Sequence, residues 1–163
     1  MRFLRFAALV GLTVWVGGLV TLGALVAPTA FAVVAARHVE SGRWLVGVLF
    51  AALLHRFTWV ALGAGALVLV SLLARRLIGP RPVHFGIRLA VLSAMLAVTL
   101  FFGFVLLEQV EQIQNAVGVP SLVLPPDHPD RVRFNRLHGW SVVLVGFNVA
   151  AGLVLVAFET RDA

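Results

Sequence analysis

Cysteine is absent from the 163 residues, and its absence excludes disulfides, thiolate metal sites, covalently attached haem and cysteine nucleophiles. Lysine is missing too, so all 13 basic residues are arginine. Charge of either sign is scarce: 12% of residues are charged against 61% that are hydrophobic, a balance far outside that of a soluble globular core. The arginines are scattered at the ends of apolar runs instead of gathering on one face between aromatics, which speaks against a nucleic-acid reader. Arginine in such places marks contact with lipid headgroups and orientation in a bilayer. There are no credible strands and no glycine-rich phosphate loop following one.

What is present is long apolar sequence. Hydrocarbon roughly 30 Å thick is crossed by about 20 helical residues, so four spans with short connections use up almost the whole chain. The partner implied is the lipid bilayer, and 1–163 reads as one membrane domain. The first span runs from Phe3 to Val26, with Pro28 expected to kink or end it because proline lacks an amide donor, and with the apolar Phe31 to Ala36 as a candidate extension. Its apolar stretch exceeds the roughly 7–15 residues of a secretory signal core, so it is expected to stay as an uncleaved first helix. A polar connection follows at Arg37, His38, Glu40, Ser41 and Arg43. His55 and Arg56 interrupt the next apolar stretch, and ionisable groups deep in hydrocarbon are costly. The second span is therefore placed at 57–73, with 44–54 as a short interfacial helix leading into it. The basic turn Arg75 to Pro82 reverses the chain into a third span at 85–107. The polar residues Glu108 to Asn115 extend it, and a proline-rich connection over 118–136 leads to the fourth span at 139–158. The expected fold class is thus all-α, an integral membrane four-helix antiparallel bundle.

Counting arginines near span ends places seven (Arg2, Arg5, Arg75, Arg76, Arg81, Arg88, Arg161) on the side of the N-terminus and six (Arg37, Arg43, Arg56, Arg131, Arg133, Arg136) opposite. This thin bias puts both termini in the cytoplasm of a bacterial inner membrane. Small residues allow close helix approach in lipid: Gly11, Gly17, Gly18 and Gly23 in the first span, Gly63 and Gly65 in the second, Gly146 and Gly152 in the fourth. Trp15 needs a gap to fill and a partner for its indole N–H.

The chemistry-bearing residues concentrate on the outer side. His38, His55, His128 and His138 lie there, and Glu108 and Glu111 share one helix face a turn apart. His55, Glu108, Glu111 and His138 are the candidate metal ligands, since imidazole with carboxylate suits zinc, copper(II) or iron. His55 and His138 are also candidate axial ligands of a haem between the second and fourth spans. No pair has a diagnostic metal spacing, and polar groups at helix boundaries equally serve to face headgroups and water. Arg56 beside His55 is a candidate ion-pair partner of Glu108 or Glu111. Asp127, His128 and Asp130 read as a solvated loop. Ser141, one turn from His138, lacks the remainder of a triad and reads as a packing or hydrogen-bonding residue.

Trp15, Gly17 and Gly18, then Ala27, Pro28 and Phe31, and finally Phe134, Leu137, His138, Gly139 and Ser141 together resemble the four-helix membrane family called domain of unknown function 4149, which includes eukaryotic proteins similar to transmembrane protein 205. The tryptophan–glycine–glycine element is distantly similar to copper-resistance D proteins and a related membrane haem-pathway oxidase. The resemblance implies a four-span bundle and, loosely, metal or drug tolerance or transport. The proline-rich connection and the His55–Arg56 pair depart from that family's pattern. Three functional readings follow: a non-enzymatic protein handling a metal ion or small solute at an outer-facing polar cavity, a haem-binding redox subunit, or a structural or assembly subunit. A homodimer or a larger membrane complex is compatible with each.

Overall fold

A bilayer offers no water to backbone amides, so a chain this apolar satisfies them within helices. The computed structural model, which describes residues 2–37, 42–79, 83–117 and 123–161, is built of four such helices. They are α1 (Arg2–Ala36), α2 (Gly42–Ile78), α3 (Phe85–Val117) and α4 (Pro129–Arg161), each long and apolar enough to cross a membrane. They form an antiparallel bundle in which α1 packs chiefly on α2, and α4 on α1 and α3. One end carries both chain ends and the α2–α3 turn. It is called here the terminal end, and the opposite one the distal end. His38, Glu40, Ser41, Arg81 and the segment 118–122 lie outside the described residues.

Three expected boundaries differ. Pro28 does not end the first helix. The helix widens into a π-helical turn at Thr21–Val26, closed by Ala27 N–H donating to Leu22 O, and then runs on to Ala36. The wider turn reorganises the backbone just ahead of the proline, and π turns are a recognised way of absorbing such a lost bond. Nor is 44–54 a separate interfacial helix: α2 is continuous through His55 and Arg56. Both side chains lie on its exposed face, so they need not break it. At 1.5 Å per residue α2 is about 55 Å long, which leaves its first turns beyond a roughly 30 Å hydrocarbon layer. Finally, α4 begins at Pro129, within the stretch 118–136 expected to be an irregular connection. Proline's missing N–H costs nothing in a first turn. The turn is further held by Asp130 N–H donating to His128 Nδ1 (3.3 Å) and by Arg131 donating to Leu124 O.

The core is formed by Leu12, Trp15 and Leu19 of α1, Ala61, Ala64 and Val68 of α2, Leu92 and Met95 of α3, and Ala151 and Leu155 of α4. The eight glycines singled out in the first, second and fourth spans divide into two groups. A Cβ at Gly11 would stand 2.9 Å from Ala64 O. At Gly65 it would meet Leu96 and the Trp15 ring, at Gly18 the Phe57 ring, and at Gly152 the Val16 side chain. Gly17, Gly23, Gly63 and Gly146 have nothing within 4 Å, so only the first group sets helix separation.

Candidate functional site: an apolar cavity at the distal end

From Thr21 to Ala36 no residue of α1 is buried, whereas its first half contributes six buried residues. The π turn thus marks where α1 parts from the bundle. Between its distal half and the other three helices lies a cavity of about 660 Å³. A second π-helical turn, Phe102–Leu106 in α3, is closed by Leu107 N–H donating to Phe102 O, and Phe102 and Leu107 stand on the opposite wall. Phe31, Phe50, Leu54, Phe134 and Val145 make most of the remaining lining apolar. Among the described residues, the polar members of the lining are His138, Ser141 and Gln114, with no arginine, aspartate or glutamate.

His138 and Ser141 have local partners, whereas Gln114 Oε1 is buried without a hydrogen-bond partner. His138 stacks on Phe134, with ring centroids 6.1 Å apart and planes nearly parallel. Ser141 Oγ donates to Leu137 O one turn back (2.9 Å), a hydrogen bond within its own helix. Gln114 is held where the first turns of α2 meet the end of α3: its backbone carbonyl accepts from Trp44 Nε1 at 3.4 Å, and its side-chain nitrogen lies against Gly47.

The four expected ligands are not brought to one point. His138 lines the cavity. His55 does not; it is exposed and meets the edge of the Phe104 ring at 6.2 Å. Glu108 is exposed and Glu111 half-buried, and neither lines the cavity. Among the described residues no three His, Asp or Glu side chains form a group that could hold a metal ion, and Arg56 forms no ion pair with Glu108 or Glu111. His55 and His138, the expected haem ligands, thus do not share the cavity lining. Asp127 is exposed, and His128 lies 3.7 Å from Asp130 Oδ2 at the start of α4.

The terminal end carries a cluster that sequence reasoning missed. Arg75 Nη1 donates to Glu159 Oε2 (2.6 Å), and Arg88 Nη1 to Glu159 Oε1 (3.0 Å). Arg88 also donates to Phe158 O (2.9 Å) and lies over the Phe158 ring. All three residues are buried, Arg88 to 1% exposure. One carboxylate therefore fastens the ends of α2, α3 and α4. The sequence carried a signal. Glu159 continues the buried stripe Asn148, Gly152, Leu155 at helical spacing, and Arg88 begins the stripe Leu92, Met95, Thr99.

Neither a curated protein nor a solved structure matches the chain. A family model does match, over residues 10–118, which takes in Trp15, Gly17, Gly18 and Pro28 and ends before α4, so that the element from Phe134 to Ser141 lies outside it. That match extends over more than half of the chain and nearly all of the first three helices, and the protein belongs to the family described as Domain of unknown function (DUF4149).

Proposed function

We propose that the protein binds an uncharged, largely apolar small molecule in the distal cavity, and so handles a solute that dissolves in the membrane. The observation that carries this reading is the lining: a space of about 660 Å³, within the usual range of small-molecule sites, walled among the described residues by aliphatic and aromatic side chains with a few polar groups and no arginine, aspartate or glutamate. A charged solute would lose its hydration there without a counter-ion, a cost of several kcal/mol. The two π turns that shape opposite walls support the same site, since such turns recur at functional positions. Metal handling and haem binding receive less support, because His55, Glu108 and Glu111 stand apart from the cavity that His138 lines.

Photolabelling with an uncharged alkyl diazirine in lipid nanodiscs tests the proposal. Adducts should concentrate on cavity residues such as Phe31, Phe50 and Phe134, and be lost when Gly146→Trp fills the space. Labelling confined to outward-facing residues such as Phe3, Trp59 and Leu153, or unaffected by Gly146→Trp, would overturn it. We further place the terminal end, with both chain ends, on the cytoplasmic side of a bacterial inner membrane, on the strength of the small arginine excess there.

A further inference from the structure

Beneath the distal cavity, and sharing Leu19, Leu54, Phe102 and Val145 with its lining, is a second, much smaller space of about 10 Å³. Trp15, Thr58, Thr99 and Asn148 line it from four different helices. Trp15 is fully buried and Asn148 is 4% exposed. Asn148 Nδ2 donates to Thr99 Oγ1 (3.0 Å), and its amide oxygen is the remaining acceptor. Asn148 Oδ1 and Trp15 Nε1 are both buried without a protein partner. Thr58 Oγ1 donates its hydrogen to Leu54 O at 3.0 Å, so it has none left for Asn148 Oδ1.

A buried donor and a buried acceptor left unmade each cost about 1–3 kcal/mol, and buried polar groups in native proteins are nearly always satisfied. The two needs are complementary. An indole N–H requires an acceptor, and an amide oxygen requires a donor. A ketone or an ether only accepts, and a carboxylate or phosphate is both too large and charged, whereas an O–H does both within the space of one heavy atom. A space of about 10 Å³ is close to the room one water needs.

We infer that the space between Trp15 and Asn148 is a hydroxyl-binding site, in which one O–H oxygen accepts from Trp15 Nε1–H and donates to Asn148 Oδ1. Two sources carry that chemistry: a water molecule, or the terminal hydroxyl of an uncharged chain lying in the distal cavity. The first source stands independently of the proposed function, while the second rests on it and would name its solute class as long-chain alcohols.

The four tryptophans give four indole signals, and single Phe replacements of Trp44, Trp59 and Trp140 identify that of Trp15 without touching the core. In ¹⁵N-labelled protein in nanodiscs, the Trp15 indole proton should receive magnetisation from a bound hydroxyl. Transfer from water that persists when 1-dodecanol is added identifies water. Transfer replaced by cross-peaks from the alcohol's hydroxymethyl protons identifies the chain. Asn148→Leu should abolish the transfer and Asn148→Asp retain it; the wild-type measurement stands even where a variant fails to fold. Absence of transfer to Trp15 from either source, in a folded wild-type sample, overturns the inference. Loss of diazirine labelling with the water transfer intact would instead remove only the proposed function.

Discussion

Replacing Glu159 by glutamine should be among the most damaging single changes in the molecule. The carboxylate receives one guanidinium N–H from Arg75 and one from Arg88. A hydrogen bond to a charged group contributes about 1.5–3 kcal/mol, and two of them give roughly 3–6 kcal/mol. That brackets the roughly 3–5 kcal/mol cost of removing one member of a buried ion pair. Glutamine keeps an acceptor but no charge, and it leaves two guanidinium groups close together behind side chains less than a tenth exposed. An expected loss of about 3 kcal/mol is therefore conservative. It should be read as a shift in the unfolding midpoint in mixed micelles of a mild detergent and dodecyl sulfate, monitored by tryptophan fluorescence. Because the groups are shielded from solvent, raising the salt should change the loss little. The double variant Arg88→Gln with Glu159→Gln should cost clearly less than the sum of the two single changes. A loss below about 1 kcal/mol, or simple additivity, would refute the view that this carboxylate holds three helices together, since values that small are typical of solvent-exposed pairs.

Gly11→Ala should destabilise the bundle by about 1–3 kcal/mol, because the added methyl meets the α2 backbone at Ala64 O. Gly17→Ala, where the surroundings are open, should be neutral or slightly stabilising in the same titration. His138→Ala should alter the yield and pattern of diazirine labelling in the cavity, whereas His55→Ala, outside the lining, should leave both unchanged. Because the chain has no cysteine, single cysteines at Thr160 and Asp127 can be labelled without background. Thr160 should react with a membrane-impermeant maleimide only after cells are opened, and Asp127 in intact spheroplasts. The reverse result would invert the orientation.

Composition made the four crossings legible, because no other arrangement satisfies so many apolar residues and their amides at once. Helix ends were less legible. A polar residue stops a span in a hydropathy profile, yet it does not stop a helix. His55 and Arg56 sit on an exposed face of an unbroken α2, and Arg131, Arg133 and Arg136 belong to α4 and not to a loop. The same confusion hid Glu159, which by position looks like a solvated tail and by helical spacing falls on the buried stripe. The distal site was legible only in part. His138 could be singled out as a histidine at a helix end, but a cavity arises where α1 parts from its neighbours, and that departure follows from a π turn with no residue signature beyond the nearby Pro28. Trp15 announced its need for a partner, while Asn148, in mid-helix and 133 positions away in the sequence, gave no sign that it faces the same space.

The fastening by Glu159 also has an order in time. The carboxylate is made 84 residues after Arg75 and 71 after Arg88. Because synthesis runs from the N-terminus, the hairpin of α2 and α3 is thus complete in sequence while the acid that its two arginines will grip is still unsynthesised. Closure of that end is a late step of biogenesis, and a nascent chain halted before residue 159 would carry its helices in place but its clasp undone.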